Sequence, residues 1–304
     1  MKIKIIKAVG YTLFFCLCLF FFVLYGLPVQ AIWDKASAIA AQRAGVKLTA
    51  ASLSPLFPVG FKAIGVRVVK PPEGESDLGL SLSVEKLSAR VGLFAYLFGR
   101  QSLSFQADLL SGKVTGSVSA KGDTQKIDLQ AHDLQLANIP VWKDKLGVEL
   151  EGKVEANVDL EISTKDAKAS QGSISLQVEK GRFGNGKISM LELPWINMGK
   201  TEVNLVVSKG KAEIKTAKVA SDDIDLALDG YFLLQQRLDQ MTSNCRIRFK
   251  PSEAKMTEIF SKVPELKGLV DAQMEPAKGD DGYFRYSMYG RVIGAQPSFR
   301  PQKR

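Results

Sequence analysis

The chain has 304 residues and a formal net charge of +9, from 41 basic and 32 acidic side chains. Lys2, Lys4 and Lys7 supply three of these positive charges, and the 22 residues from position 283 onward add five basic residues and no acidic one. Since a nucleic-acid-binding domain usually carries its basic residues along a folded face, this uneven distribution argues against a nucleic-acid partner.

Residues 8–29 form an apolar segment without a charge, rich in Leu, Phe and Val. As a helix, such a segment is roughly 33 Å long, which is enough to cross the hydrocarbon core of a bilayer. The lysines that precede it predict a cytoplasmic N-terminus, because basic residues stay on the cytoplasmic side. The pattern thus predicts a cytoplasmic start and transmembrane anchor over residues 1–30, in the inner membrane, with the rest of the chain in the periplasm.

A cleaved signal peptide is the alternative interpretation of the N-terminus. Val29-Gln30-Ala31 offers small residues at the spacing that a signal peptidase requires. The apolar segment is longer than the stretch of about 7–15 residues that is typical of signal peptides, so an uncleaved single-pass anchor is favoured. Both interpretations place the body of the chain in the periplasm.

A short helix is predicted directly after the anchor, over residues 31–45. Trp33 is expected at the depth of the membrane–water interface, where tryptophan is enriched. Two interpretations of this helix remain open: a juxtamembrane helix, or the first helix of the folded domain. Apolar and small residues recur at helical spacing, and a glycine marks the end: Ile32, Ala36, Ile39, Ala40 and Gly45.

Residues 46–304 show the alternation of apolar and polar side chains that is typical of β-strands. Leu78, Leu80, Leu82 and Val84 are separated by polar or small residues, and about a dozen segments repeat this pattern. Such alternation suits a sheet with one buried face and one wet face. Turn signals such as Lys209-Gly210 lie between the segments. The sequence therefore predicts a mainly β periplasmic domain, a long curved antiparallel meander with few short helices, preceded by one transmembrane helix.

The clearest helix after the anchor is predicted over residues 252–263, with Ser252 as its N-cap and Pro264 after its end. Residues 93–98 form one apolar turn. Asp281-Gly282 predicts a turn before the last strand. The aromatic residues of that strand, together with Arg285 and Arg291, have three interpretations: stacking on nucleic acid, contact with lipid headgroups, or packing within the sheet, which is favoured.

The residues that usually carry chemistry are sparse. His132 is the only histidine, and Cys245 is the only cysteine after residue 18, so a zinc site of the usual composition cannot be assembled. No Gly-x-Ser-x-Gly motif is present to supply a nucleophilic serine. Residues 181–186 are rich in glycine, but neither a helix nor Gly-Lys-Ser/Thr follows, which predicts a hairpin loop.

The sequence accordingly predicts no enzyme, no catalytic residue, no metal or cofactor site and no small-molecule substrate. His132 is expected on the surface of a strand, and Cys245 as a small buried hydrophobe. Two acidic pairs, at residues 222–223 and 280–281, are expected in turns.

Several short motifs follow one another in an order that a known family shares. After the basic start and the apolar segment come Gly65-Val66-Arg67-Val68, Gly99-Arg100, Ser102-Leu103-Ser104-Phe105, Leu193-Pro194-Trp195, Met198-Gly199, Asp229-Gly230, Gly282-Tyr283-Phe284-Arg285-Tyr286, and a tail with Pro297 and Pro301. This order resembles the type II secretion system protein N family (GspN), over essentially the whole chain. The sequence is also similar to AsmA-like membrane-anchored, β-rich proteins.

The resemblance implies an accessory or assembly component of the type II secretion system. Such a protein binds other secretion proteins in the periplasm and supports protein export across the outer membrane, so its partners are those proteins and inner-membrane lipid. The AsmA-like resemblance implies an alternative, a lipid-binding or lipid-transport bridge with lipid in an apolar groove. The two differ in one property, since a lipid groove leaves a contiguous apolar strip larger than a few hundred Å².

Overall fold

The computed structural model describes residues 10–12, 14–15, 18, 29–57, 59–70, 80–92, 99–139, 142–143, 147–188, 191–235, 241–261, 264–291 and 298–302. The lysines at positions 2, 4 and 7, most of the predicted anchor and the predicted turn at 93–98 lie outside these ranges. Among the described residues, no helix is long and apolar enough to cross a membrane. The anchor therefore stays a prediction.

The described part of the chain is mainly β and has few helices. The helices are α1 (Val29–Ala44), α2 (Glu253–Phe260) and α3 (Pro264–Met274), with 3-10 turns at Leu136–Asn138, Ala167–Ala169 and Glu275–Ala277. The strands are β1 (Lys47–Thr49), β2 (Ser52–Leu56), β3 (Gly60–Lys70), β4 (Leu80–Val91), β5 (Gln101–Leu109), β6 (Gly112–Lys121), β7 (Thr124–Gln135), β8 (Glu149–Ser163), β9 (Gln171–Gly184), β10 (Gly186–Ile188), β11 (Leu191–Leu193), β12 (Ile196–Ser208), β13 (Lys211–Ala220), β14 (Ile224–Leu233), β15 (Thr242–Pro251), β16 (Phe284–Arg291) and β17 (Ser298–Pro301).

Fifteen of these strands form one antiparallel sheet. From β3 onward, each strand pairs with the next one in sequence, except that β12 follows β9 because β10 and β11 pair only with each other. At the N-terminal edge, β1 and β2 both pair with β3. The prediction of a mainly β antiparallel meander is confirmed, and the strands outnumber the dozen segments recognised in the sequence.

Tight turns allow successive strands to pair. Lys209 and Gly210 join β12 to β13 with φ values of 50° and 75°. Two consecutive residues in the left-handed region are characteristic of a type I′ turn, whose twist matches that of a hairpin. The turn predicted at Lys209-Gly210 is confirmed.

In several strands the strict alternation fails, and two residues that are three positions apart lie on the same face. In β3, Ala63 and Val66 belong to the same buried cluster although they are three residues apart, and Gly65 between them has a φ of 62°. In β13, Ile214 and Ala217 likewise share a cluster across a register shift. Strict alternation is therefore interrupted in both strands, at Gly65 with its positive φ in β3 and at a register shift in β13.

Helix α1 packs against the sheet through one side chain. Trp33 is 5% exposed and lies in a buried cluster with Ala63, Val84 and Ala107. Its ring is 5.9 Å from that of Phe61, in an edge-to-face arrangement. This packing favours α1 as the first helix of the folded domain. The depth of Trp33 relative to a membrane stays a prediction.

The C-terminal part confirms the predicted N-cap of α2 but differs from the prediction in two other ways. Ser252 caps α2 as predicted, since its Oγ accepts a hydrogen bond from the backbone N–H of Lys255 at 3.2 Å. Pro264, however, begins a further helix, α3, which suits the proline preference for the first helical position. In addition, β16 is not the last strand, because β17 pairs with it.

The glycine-rich segment at residues 181–186 is not a hairpin loop. Residues 181–184 belong to β9, where Gly181 and Arg182 pair with β12. Further on, β10 and β11 pair with each other. Lys180, with a φ of 51°, marks an irregularity just before the glycines. Gly181 and Gly184 therefore belong to an irregular strand rather than to a loop.

Candidate functional site: an apolar sheet face

One face of the sheet carries an unbroken row of apolar or glycine residues. Directly paired residues in an antiparallel sheet lie on the same face, so the row can be followed from strand to strand. We call it the central row; it consists of Phe61, Ala89, Phe105, Gly116, Leu129, Val158, Ile174, Leu205, Ile214, Gly230, Cys245 and Met288. At roughly 4.8 Å between strands, it extends over about 50 Å.

The opposite face is polar along the same strands. From β3 to β13, a row of directly paired residues contains only polar side chains: Lys62, Ser88, Gln106, Thr115, Gln130, Asn157, Ser175, Asn204 and Thr216. The two rows show that the sheet separates apolar from polar side chains over most of its width. This separation is the sheet equivalent of an amphipathic helix.

The burial of the apolar face varies along the sheet. One buried cluster surrounds Trp33, beside β3 to β5, and a second contains Ile214, Ala217 and Cys245. Between these clusters, the central-row residues Leu129, Val158, Ile174 and Leu205 are only half-buried.

Side chains in a protein core that other elements cover are normally fully buried and contact many neighbouring residues. Among the described residues, the middle of the central row is therefore incompletely covered, whereas smaller side chains beside it on the same face are buried: Ala131, Val154, Val178 and Val207. Of the two functions implied by the sequence, a contiguous apolar strip is the property expected of lipid binding.

Two concave regions on the protein have linings that mix polar and apolar groups. One, of about 430 Å³, lies between the β10–β11 hairpin and α2 and is lined by Lys187, Glu192 and Glu258 among others. The other, of about 570 Å³, lies on the polar face, with Lys62, Arg90 and many hydroxyl and amide groups in its lining. Neither lining contains a histidine or a cysteine.

His132 lies on the polar face, as predicted. Its side chain is 57% exposed, and its Nδ1 is 2.7 Å from Oε2 of Glu155. Asp133, with a φ of 60°, donates its backbone N–H to the other oxygen of Glu155 at 3.0 Å. Among the described residues, no group of three or more His, Cys, Asp or Glu side chains is placed to hold a metal ion.

The acidic residues at 222–223 lie in a turn. One of them also forms hydrogen bonds and an ion pair that the sequence does not predict. Asp223 is only 14% exposed and accepts hydrogen bonds from the backbone and side-chain nitrogens of Asn197, at 2.7 and 2.8 Å. Lys255 on α2 lies 3.5 Å away. Lys255 also donates to Trp195 O at 2.9 Å.

The main cause of the raised pKa of Lys255 is its hydrogen bond to Glu258, with the Asp223 charge adding to it. This cluster fastens α2 to the ends of β12 and β14. The arrangement is structural, because every polar group in it is bound to another part of the same chain.

Cys245 is fully buried in the central row, as predicted. Burial raises the pKa of its thiol, so the protonated form is favoured. The Sγ atom lies 3.7 Å from the carbonyl oxygen of Tyr231. The residue packs as a small apolar side chain in the sheet.

No family model matches the chain, and no curated protein or solved structure is significantly similar to it. The resemblance to the type II secretion system protein N family stays a prediction.

Proposed function

We propose that the apolar face of the sheet binds the acyl chains of lipids. The observation that carries this proposal is the central row, which crosses twelve strands without a polar side chain and is half-buried in its middle part. An acyl chain places no hydrogen-bonding demand on its surroundings. It therefore fits a surface whose backbone groups are already paired within the sheet.

The energetics favour such an occupant. Each methylene group removed from water contributes about 0.8 kcal/mol. The central row extends over about 50 Å, which exceeds the roughly 30 Å thickness of a bilayer's hydrocarbon core. Several acyl chains can therefore lie along the row, and each also covers apolar side chains such as Leu129 and Ile174. The predicted inner-membrane anchor would hold the protein next to a source of lipid.

The test is photolabelling of the full-length protein with a fatty acid that carries a photoreactive group along its chain. Adducts are mapped by mass spectrometry, and only those within residues 46–304 are counted, so that labelling of the apolar N-terminus does not contribute. Leu176→Asp places a carboxylate on the apolar face, because Leu176 pairs with Ala156 and Val203. Ser175→Asp places the same carboxylate on the polar face.

We expect the wild-type protein and Ser175→Asp to be labelled on the apolar face. Leu176→Asp should lose tenfold or more of this labelling, since a carboxylate buried beside an acyl chain is strongly unfavourable. Circular dichroism checks that each variant is folded, and Leu129→Asp repeats the test on another strand. Equal labelling of the Leu176→Asp and Ser175→Asp proteins contradicts the proposal.

A second candidate is the accessory role in type II secretion that the family resemblance implies. The structural observation that favours a protein partner is the edge strand β1, which contains no proline and, among the described residues, pairs only with β3. An unpaired edge presents backbone groups to a partner strand. A photoreactive residue at Thr49 in living cells should then crosslink to secretion proteins, whereas one at Leu176 should crosslink to lipid. Absence of protein adducts at Thr49 argues against this mode of binding.

A further inference from the structure

Four arginines lie on the polar face of the three C-terminal strands of the sheet: Arg246, Arg248, Arg285 and Arg300. We name them the arginine patch. We propose that this patch binds the phosphate-bearing headgroups of a lipid surface. The proposal concerns the polar face and does not depend on acyl-chain binding by the apolar face.

The strand register brings these four side chains together. Arg248 on β15 pairs directly with Arg285 on β16. In the adjacent row, Ser287 pairs with Arg246 on one side and with Arg300 on the other. Like charges directly opposite each other destabilise a sheet. A direct Arg–Arg pair thus lowers stability unless an anion lies between the two side chains.

Only half of the patch is neutralised by the described part of the protein. Arg246 forms an ion pair with Asp229 at 2.7 Å, and Arg285 forms a two-pronged contact with Asp281, with one N–O distance of 3.0 Å. Arg248 and Arg300 have no carboxylate partner among the described residues, and both are exposed.

Arg248 instead lies 5.7 Å from the centre of the Tyr283 ring. Two guanidinium groups therefore remain available to an external anion. Guanidinium is well suited to phosphate because it donates two parallel hydrogen bonds.

The surroundings of the patch favour a lipid surface over an acidic protein. Tyr283 and Tyr289 lie on the same face as the arginines, and Tyr289 is 44% exposed. Tyrosine beside basic residues is the composition of a membrane–water interface. On the other face of the same strands, Phe249 packs against Phe284 and Tyr286, with ring centres 5.5 and 6.2 Å apart. The strands are thus apolar and aromatic on one side and cationic on the other.

The full-length protein is reconstituted in phosphatidylcholine nanodiscs, and its capture of fluorescent vesicles is measured. Vesicles contain either phosphatidylcholine alone or equal parts of phosphatidylcholine and phosphatidylglycerol. The test variant is Arg248→Gln with Arg300→Gln. The matched control is Arg67→Gln with Arg90→Gln, which removes two exposed arginines from the polar face at the other end of the sheet. Both variants change the net charge equally.

We expect the wild-type protein and the control to capture the anionic vesicles. The patch variant should bind them roughly ten- to thirtyfold more weakly, since each basic residue near an anionic surface contributes up to about a fivefold step. Capture should also fall with added salt. Equal capture of neutral vesicles, or an equal loss in the control, overturns the proposal. Binding of a soluble poly-glutamate peptide through Arg248 and Arg300, without vesicle capture, overturns it in favour of an acidic protein partner.

Discussion

Trp33 is a large side chain that the structure buries almost completely, although the sequence places it next to an apolar segment. Its ring packs in a cluster with Ala63 of β3 and Ala107 of β5, two small residues on either side of β4. The small residues leave room for the indole ring, which is why the helix packs at this position. Trp33 is thus the buried side chain that packs α1 against the β-sheet.

Trp33→Ala should lower the free energy of unfolding by about 3–5 kcal/mol, the range for removal of a buried aromatic side chain. The physical reasons are the lost apolar burial and the cavity left above the alanines. Urea unfolding followed by circular dichroism measures the effect. Ile39→Ala on the same helix is the control, because Ile39 is 45% exposed and its removal should have little effect. A similar loss in both variants means that Trp33 is not anchored to the sheet.

At the residue scale, the sequence predicted the location of single side chains better than the contacts within clusters of side chains. His132 and Cys245 were placed correctly, because alternation alone indicates which face of a strand a residue occupies. The cluster of Asp223, Asn197 and Lys255 was not predicted. Its members are 26 to 58 residues apart in the chain. Only the strand order brings them together, so no local pattern signals the contact.

Gly65 illustrates, at the scale of the element, how a strand keeps its apolar residues on one face. A bend with a φ of 62° separates Ala63 from Val66, and both remain in the cluster around Trp33. If β3 alternated strictly through Gly65, Val66 and Val68 would lie on the face opposite to Ala63, and Arg67 would lie on the same face as Ala63. The irregularity is therefore necessary for the apolar face to continue.

Gly65→Ala should destabilise the protein by about 1–2 kcal/mol, the cost of a side chain in the left-handed region. A Cβ atom at this position also comes within 3.1 Å of the Cβ of Ala51. Thermal unfolding is the measurement. Gly268→Ala in α3 is a control with the opposite sign, since no atom lies within 4 Å of the added Cβ and alanine is the better helix former. Unchanged stability of Gly65→Ala contradicts a structural need for glycine there.

At the scale of the whole molecule, an open sheet has to avoid pairing with other sheets. The C-terminal edge strand β17 contains Pro301, and Gln302 after it donates its N–H to Arg285 O at 3.0 Å, toward β16. Because neighbouring residues alternate in direction, the nitrogen of Pro301 is on the outer side, where it has no hydrogen to donate. Edge prolines of this kind protect natural sheets from aggregation.

Pro301→Val should make the protein associate through this edge, as a concentration-dependent increase in mass. The added N–H completes a row of free donors on the outer side of β17. Size-exclusion chromatography with light scattering measures the mass at several concentrations. Pro276→Val, in an exposed 3-10 turn outside the sheet, is the control and should leave the mass unchanged. If Pro301→Val behaves like this control, the proline does not protect the edge.

The alternation of side chains by itself determined that this protein is a mainly β antiparallel meander with one apolar and one polar face. Period-two patterning and turn residues are local properties, so the sequence displays them directly. The tertiary structure decided what the patterning could not. It decided which strands pair, where the alternation is interrupted, and how the middle of the central row is left half-buried while Trp33 packs near one end of the sheet. These properties depend on register between residues that are distant in the chain, and a local pattern holds no information about register.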